Sequence, residues 1–399
     1  MSDLKAPCLV QKKLRNGTIL YYWEVTKLAR KMGYQPQTRR LHGSDDEIIS
    51  LCRIYTAEMR EWMDIQNGAI NPNYELDIIG LFRQYRLRPE SPFNCRVKPN
   101  TRKTYSQSLD WIEARIGTVE IKSINLAILR RWYNEARWPE GQDGPERLHT
   151  AYRVIEMLRR VFSFGVAAEI EGCDRVHAIL SNTQFERPKP RSSSMTREQA
   201  LTFINKAIEL QRPSLALATA MQFECAFRQK DVIGEWLPIP RKGPSSSYVI
   251  GRNQWANGLT WADIDHDWQV NKATTKTGQI VAHDLKLTEM AIKLLRDVPE
   301  DRRVGPLIIN EKSGKPYAER CYSPAWREIA DAAGLPKDLW SMDGRSGAAT
   351  EASEAGGTLD DIRETMGHSD ARTTLRYIRG KKLAQSKRVA ELRLALSNG

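Results

Sequence analysis

Hydrophobic positions in the first part of the chain follow two different periods. The stretches CLVQKKLR and TILYYWEV flank Asn16-Gly17, and this dipeptide between strand-forming residues predicts a β-hairpin. Helical spacing follows from Asp45 to Gln66, with apolar residues at Ile48, Leu51, Cys52, Ile54, Tyr55 and Met59. This spacing predicts one helix over residues 45–66. A small sheet and a helix are therefore expected within residues 1–73.

The following segment, residues 74–185, has helical periodicity throughout. One helix is predicted from about Glu146 to Ala168, with one apolar face made of Val154, Ile155, Leu158, Val161, Phe162 and Gly165. Residues 186–195 then combine Pro, Ser and basic residues without periodicity, which predicts a linker. Thr196 and Gln199 have the spacing of a capping box, so a new helix is expected to begin there.

Residues 196–399 mix helical and strand patterns. Two helices are predicted over residues 200–226, a strand and turn over LTWADID (residues 259–265), and a hairpin over 268–285 that turns at Thr277-Gly278. Residues 237–258 read as a surface insertion without an assigned role. Leucine and valine spacing predicts a last helix from about Lys381 to Leu396. The expected fold class is mainly α with a small β-sheet (α+β), divided among several domains because 399 residues exceed a single core.

Charge narrows the class of partner. The net charge is +12 and the sequence pI is about 9.4, which favours polyanions, with nucleic acid the leading candidate. Basic residues are concentrated in residues 1–40 and 371–399. A solvated basic surface without a partner is the alternative interpretation of either run.

Cysteine usage and hydropathy bear on the compartment. The six cysteines contain no Cys-x-x-Cys pair, so neither a structural zinc site nor a disulfide framework is expected, and the thiols are predicted to be reduced. The sequence contains no run of about 20 apolar residues that would span a membrane. A cytoplasmic protein without a membrane partner is expected.

The stretch GHSDARTTLRY, residues 367–377, suggests the chemistry. A tyrosine that attacks a phosphodiester needs cationic donors for the non-bridging oxygens and a group that protonates the leaving 5′ oxygen. Tyr377 follows His368 in this stretch, and three basic residues precede both: Arg228 in CAFRQKD, Lys276 in TTKTGQ and Arg345 in SMDGRSG. The ordered set predicts a tyrosine nucleophile that acts on DNA.

These residues, in this order, resemble the tyrosine recombinase (phage integrase) family, whose catalytic half reads Arg, Lys, His-x-x-Arg, Gly-His and Tyr. The resemblance covers about residues 196–399 and continues upstream with lower specificity. It implies an arm-type DNA-binding domain over 1–73, a helical core-binding domain over 74–185, a linker over 186–195 and a catalytic domain over 196–399. Without the resemblance, residues 1–73 read almost equally well as a dimerisation or capping segment.

The resemblance also implies a role for each site residue. Arg228 and Arg345 would grip the scissile phosphate, because a guanidinium fork matches two phosphate oxygens. Lys276 would be the general acid for the leaving oxygen, His368 would donate a hydrogen bond to phosphate or assist proton transfer, and Tyr377 would be the nucleophile.

Three neighbours of the site residues leave alternatives open. Asp231 lies one helical turn after Arg228 and could orient its guanidinium. Lys272 and Lys286 compete with Lys276 for the general-acid role.

The implied reaction is site-specific recombination by an integrase of a phage or mobile genetic element. Tyr377 would form a 3′-phosphotyrosine, and the released 5′ hydroxyl would attack a partner duplex, passing through a Holliday junction. The implied partners are double-stranded DNA attachment sites, a homotetramer on DNA, and accessory directionality or DNA-bending proteins. The last helix would dock on a neighbouring protomer or pack on its own domain. No metal or cofactor is expected, because the phosphotyrosine bond stores the energy for rejoining.

One position departs from the family pattern. Met342 occupies the place three residues before Arg345 that usually holds His, and a thioether cannot donate a hydrogen bond to phosphate. Ser346-Gly347 after Arg345 is also unusual. A DNA-binding regulator with weakened cleavage is therefore a second hypothesis, and a type IB topoisomerase, which shares the chemistry, is a third.

Overall fold

The computed structural model describes residues 4–14, 17–66, 77–240, 243, 245–378, 389–391 and 393–394. The chain forms two compact units, Met1–Lys189 and Pro190–Gly399. Helices dominate both units, and each sheet has only two or three strands, so the expected α+β fold class is confirmed. The finer division into an arm-type domain, a core-binding domain, a linker and a catalytic domain stays a prediction.

The first unit begins with a three-stranded antiparallel sheet and a long helix. In chain order, its first five elements are β1 (Leu9–Lys13), β2 (Ile19–Glu24), α1 (Lys27–Met32), β3 (Thr38–Leu41) and α2 (Asp45–Gln66). The register pairs Leu9 with Trp23, which confirms the predicted hairpin; Asn16, in its turn, lies outside the described residues. The helix over residues 45–66 is confirmed, but Ile54 is 38% exposed and does not share the buried face.

Six α-helices complete the described part of the first unit. They are α3 (Ile78–Leu87), α4 (Pro92–Cys95), α5 (Pro99–Ile116), α6 (Leu126–Arg137), α7 (Leu148–Ala167) and α8 (Cys173–Asn182). The predicted helix over residues 146–168 corresponds to α7, and all six residues of its predicted apolar face are buried. Five of the six, all except Gly165, belong to one apolar core together with residues of α3, α5, α6 and α8.

The second unit contains the remaining helices and strands. In chain order they are α9 (Arg197–Glu209), α10 (Pro213–Glu224), α11 (Gln229–Ile233), β4 (Glu235–Pro238), β5 (Val249–Ile250), β6 (Asn253–Ala256), β7 (Gln269–Ala273), β8 (Ile280–Asp284), α12 (Met290–Arg296), β9 (Ile309–Asn310), β10 (Lys315–Pro316), α13 (Glu319–Ala332), α14 (Asp343–Glu354), α15 (Leu359–Thr365) and α16 (Ala371–Leu375). The predicted capping box at Thr196 is present and starts α9. The predicted last helix falls mostly outside the described residues.

The centre of the second unit is α10. Ten of its residues are buried, which fits its almost wholly apolar sequence, LALATAMQF, and it contacts α9, α12 and α14. This arrangement places the residues after α10, including Arg228, next to α14, which contains Arg345. A smaller apolar cluster of Ala226, Ala348, Ala349, Ile362 and Met366 packs against Tyr377 and Ile378.

Two sequence interpretations in this unit need correction or extension. The strand predicted at LTWADID is wrong: Trp261–Asp263 is a 3₁₀ turn, started by a capping box between Thr260 and Asp263, and short-range capping outweighs strand propensity there. Residues 237–258 contribute to an antiparallel sheet with the strand order β4-β6-β5. Trp255 on β6 is 6% exposed and donates to the backbone oxygen of Ile233 at 2.9 Å, so this segment is partly built into the core.

Among the described residues, no helix has both the length and the apolar content that a membrane span requires.

Candidate DNA-cleavage site

Arg228 lies at the N-cap position of α11, with extended backbone angles. Its side chain is 18% exposed, and its Nη1 lies 3.7 Å from Oδ2 of Asp231. This nitrogen is buried and has no hydrogen-bond acceptor among the described residues. The guanidinium is therefore oriented by a carboxylate one turn away and keeps a donor for a further acceptor.

Asp231 connects Arg228 to the β7–β8 hairpin. The side chain is fully buried, and its Oδ1 accepts a hydrogen bond of 2.7 Å from the backbone nitrogen of Thr275. Thr275 immediately precedes Lys276. One carboxylate thus holds both the first arginine and the segment that leads into the hairpin turn.

Lys276 lies in the turn between β7 and β8, and its side chain is exposed. The predicted hairpin is confirmed, with Gly278 at a positive φ of 74° in its turn. The charge of Lys276 contributes to lowering the pKa of His368, after burial and two arginines, so this turn lies within electrostatic reach of the site.

The structure separates Lys276 from its two competitors. Lys272 is buried, and its Nζ donates to the backbone oxygen of Gly258 at 2.6 Å and to Asp263 at 3.3 Å, so its ammonium is already bound. Lys286 follows the open end of the hairpin, beyond the Gln269–Asp284 pair. Four residues of strand separate that pair from the turn end of the ladder, roughly 13 Å.

Arg345 is almost completely buried in the first turn of α14. Nη1 donates to the backbone oxygen of Ala226, and Nη2 donates to Met366 O at 2.6 Å and contacts Nε2 of His368 at 2.9 Å. Burial and the charge of Arg228 lower the pKa of Arg345 to about 10, against the favourable effect of Tyr377 and Asp231. The guanidinium remains charged at neutral pH, but its surroundings do not neutralise it.

His368 is positioned by the glycine before it. Gly367 has a φ of +61°, and a Cβ there would lie 2.8 Å from Val281 Cγ1 on β8, so both the conformation and the packing require glycine. Because a guanidinium only donates, Nε2 of His368 is the acceptor from Arg345, and Nδ1–H donates to Thr374 Oγ1 at 3.0 Å.

The same surroundings set the charge of His368. Burial lowers its pKa to about 4, with further contributions from Arg345, Arg228 and Lys276. The imidazole is neutral at pH 7, in the tautomer with the proton on Nδ1. Sequence reasoning missed Thr374, and no pattern in the sequence singles out this fully buried residue.

Tyr377 follows α16 and is half-buried. Its ring centroid lies 5.2 Å from that of His368 and 5.4 Å from the guanidinium carbon of Arg345. Its backbone nitrogen donates to Thr374 O at 2.8 Å, so the residue that orients His368 also fixes the turn before Tyr377. The structure therefore brings Arg345, His368 and Tyr377 into direct contact, with Arg228 and Lys276 in electrostatic range.

Met342 is placed differently from these residues. It immediately precedes α14 and is 50% exposed, whereas Arg345 is 4% exposed. The thioether is therefore partly exposed at the start of α14.

Residues 252–383 match the family model described as the phage integrase family; the match includes Lys276, Arg345, His368 and Tyr377 and begins after Arg228. No curated protein sequence matches the chain. Among solved structures, a lambda integrase tetramer bound to a Holliday junction is 16% identical, with a TM-score of 0.58 over 96% of this chain and 98% of that one.

A second similar structure is the Tn1549 transposon integrase in complex with transposon right end DNA. It is 16% identical, with a TM-score of 0.54 over 79% of this chain and 99% of that one. At this identity the two structural matches establish the fold, and the family model adds the sequence evidence in the catalytic half. Residues 252–383 thus match the phage integrase family in sequence, and the chain shares the fold of the lambda and Tn1549 integrases.

Proposed function

We propose that this chain cuts and rejoins DNA at specific sites through a covalent bond between Tyr377 and a DNA 3′ phosphate. The observation that carries the proposal is the contact of the Tyr377 ring with both His368 and Arg345. An aromatic hydroxyl beside a buried, incompletely neutralised guanidinium suits a nucleophile that approaches a phosphate.

The proposed cleavage breaks one bond, forms one bond and moves two protons. The Tyr377 oxygen attacks the phosphorus and gives its proton to His368 or to solvent, and the bond between phosphorus and the 5′ oxygen breaks. Lys276 gives a proton to the departing oxygen, producing a free 5′ hydroxyl. Attack of a 5′ hydroxyl on the phosphotyrosine reverses these steps, so rejoining needs no external energy source.

The two arginines are proposed to stabilise the charge that develops on the non-bridging oxygens. Arg228 has a buried donor without an acceptor among the described residues, which suits one phosphate oxygen. Neutral His368 would add a hydrogen bond to phosphate or receive a proton from Tyr377. Either role requires that Nε2 of His368 first give up the hydrogen bond that it now accepts from Arg345.

The proposed partners are double-stranded DNA attachment sites, a homotetramer on that DNA, and accessory directionality or DNA-bending proteins. The support for DNA is the net charge of +12. The support for the tetramer is the similarity to lambda integrase, which has been solved as a tetramer on a Holliday junction. We propose a role in integrating or excising a phage or another mobile element.

Tyr377→Phe tests the proposal directly. A duplex recovered by binding selection from random sequence would be nicked to trap the adduct. Wild type should form a covalent protein–DNA band on a denaturing gel, and the Phe variant should form none. A mobility shift should show DNA affinity within about threefold of wild type, because only one hydroxyl is lost. If the Phe variant still formed the adduct, the nucleophile would be a residue other than Tyr377.

The exposed Met342 favours a second function, a DNA-binding regulator with weakened cleavage. The same gel separates the two functions, since the regulator would shift the duplex without forming an adduct. A type IB topoisomerase would instead relax supercoiled DNA without any site preference.

A further inference from the structure

The residues just before the second unit's first helix are attached to the helix that carries Arg345. We define residues Arg191–Met195 as the strap. Its backbone has no regular secondary structure, and it belongs to the second unit. The sequence pattern predicts only a linker here. The structure shows a fixed segment along the first turns of α14.

Arg191 is the first anchor of the strap. Its Nη2 donates to the backbone oxygen of Asp338 at 2.6 Å and to Oδ2 of Asp343 at 2.7 Å, and its guanidinium carbon lies 5.0 Å from the ring centroid of Trp340. Asp343 is 4% exposed and is the first residue of α14. Because a buried carboxylate needs a partner, Arg191 both neutralises Asp343 and fixes the start of the helix.

The strap backbone provides the second anchor. Met195 N donates to Asp343 O at 3.1 Å, and Ser346 Oγ donates to Ser193 O at 3.2 Å. A Cβ on Gly347 would lie 2.1 Å from Met195 O, so a glycine is needed for the strap to approach. The unusual Ser346-Gly347 pair is thereby explained as the seat of the strap.

These contacts surround Arg345 on its own helix. The strap binds Asp343, two residues before Arg345, and Ser346 and Gly347, the two residues after it. Arg345 itself reaches across to Ala226 and Met366. A displacement of α14 of about 1 Å would misalign the guanidinium, and such misplacements cost on the order of 10²-fold in rate.

We propose that the strap positions Arg345 for phosphate binding, with Arg191 as its principal positioning residue. This inference rests on the proposed DNA cleavage by Tyr377. Arg191 contacts neither Tyr377 nor His368 in the structure, so its effect is expected through α14.

The test compares Arg191→Ala with a matched loss of charge in the same linker. Arg187→Ala is the control, since Arg187 lies over the Tyr152 ring in the first unit. Single-turnover cleavage would be measured at saturating protein, separately from DNA affinity. Arg191→Ala should slow cleavage about 10-fold to 10²-fold, with affinity within about threefold of the control. Arg191→Lys should recover part of the rate.

A double-mutant cycle with Arg345→Ala identifies the route of the effect. If the strap acts through Arg345, Arg191→Ala should cause little further loss in the Arg345→Ala background. Three results would overturn the proposal. Arg191→Ala could slow cleavage equally in the wild-type and Arg345→Ala backgrounds, it could cleave at the rate of Arg187→Ala, or it could reduce only the affinity for DNA.

A second readout does not depend on cleavage. Hydrogen exchange of the α14 amides in the full chain without DNA should be faster in Arg191→Ala than in Arg187→Ala. Unchanged exchange would overturn the proposal that the strap holds α14, whether or not wild type forms an adduct. Absence of an adduct with wild type would overturn the proposed DNA cleavage but would not by itself affect the exchange result. The two proposals can therefore fail separately.

Discussion

The two units each contain a pair of buried or mostly buried arginines, and the surroundings of the two pairs differ. In the first unit, Arg39 lies 3.1 Å from Glu58 and 3.2 Å from Asp110. Arg86 contacts the same two carboxylates, at 3.3 and 2.7 Å, and Glu113 at 2.7 Å. These five side chains, here called the carboxylate cluster, link β3, α2, α3 and α5.

The arginines of the second unit have a different environment. Arg345 donates to backbone oxygens and to His368, and Arg228 lies 3.7 Å from Asp231 without a hydrogen bond. Burial disfavours the charge on Arg39, Arg86 and Arg345. In the first unit the carboxylates outweigh burial and raise the pKa of Arg39 and Arg86, whereas burial and Arg228 lower that of Arg345 to about 10.

The difference separates a structural cluster from the proposed phosphate-binding one. The carboxylate cluster supplies its own anions, so its arginines serve the fold. The second pair keeps a surplus of positive charge and an unused donor, which an incoming phosphate could satisfy. Both pairs look alike in the sequence, since an arginine alone does not show whether its counter-charge is built in.

The largest expected effect comes from breaking the carboxylate cluster. Arg86→Met should lower the free energy of unfolding of the first unit by about 3–5 kcal/mol, because buried Glu58 would keep only Arg39 and partly buried Glu113 would lose its arginine. The rate of thiol labelling at buried Cys52, read by mass spectrometry in urea, reports on this unit in the full chain. Labelling of buried Cys225 in the second unit serves as the internal control. A loss of stability confined to the second unit would contradict the structural role of the carboxylate cluster.

Arg345→Ala tests the opposite member of the comparison. We expect single-turnover cleavage to fall by about 10²-fold to 10³-fold, because a charge-stabilising donor is lost at the phosphate. Arg296→Ala, which removes an exposed arginine of α12, is the control and should cleave as wild type. Equal cleavage by Arg345→Ala and wild type would remove SMDGRSG from the active site and favour the regulator.

The sequence predicted well wherever short-range physics decides the structure. The bounds of α2, the capping box at Thr196 and the β7–β8 hairpin all follow from spacing or turn chemistry within a few residues. The 3₁₀ turn at 261–263 was missed because its capping box competes locally with an apparent strand.

Long-range contacts were beyond the sequence pattern. Glycine at 347 is required by Met195, far away along the chain, and nothing near Gly347 indicates this. The order Arg, Lys, Arg, His, Tyr identified the site residues as a hypothesis. Which groups Arg345 and His368 contact depends on how α14 and α15 pack, and a single sequence contains no such information.

Met342→His sharpens the comparison by adding a hydrogen-bond donor three residues before Arg345. Because Met342 is exposed at the start of α14, the imidazole can be accommodated, and cleavage should stay equal or rise by up to about tenfold. Met342→Leu is the matched control: it keeps the apolar bulk without a donor and should leave single-turnover cleavage unchanged. Slower cleavage by the His variant alone would show that the thioether's surface contact, and not a missing donor, matters there.

The smallest expected effect is a pH dependence within the carboxylate cluster. Burial, together with the neighbouring carboxylates of Glu58 and Asp110, raises the pKa of Glu113 to about 7 against the opposing effect of Arg86 and Arg39. The folded pKa of Glu113 is above its unfolded value. The contribution of protonated Glu113 to the free energy of unfolding is therefore fully present below about pH 4.5 and is lost as the pH rises through 7. Glu113→Gln, which mimics the protonated form, should remove this dependence, an effect on the order of 1 kcal/mol because the coupled groups share the proton.

The measurement compares Cys52 labelling in urea for wild type and Glu113→Gln at pH 5 and pH 8. The intrinsic pH dependence of the thiol reaction cancels when the variants are compared at one pH. Relative to wild type, the Gln variant should gain stability between pH 5 and pH 8. Glu120→Gln, which removes an exposed carboxylate paired with Lys122, should leave the difference near zero. If Glu113→Gln were instead less stable than wild type at pH 8, ionised Glu113 would be stabilising Arg86 there. The carboxylate cluster would then carry three negative charges at neutral pH, and its contrast with Arg228 and Arg345 would be larger.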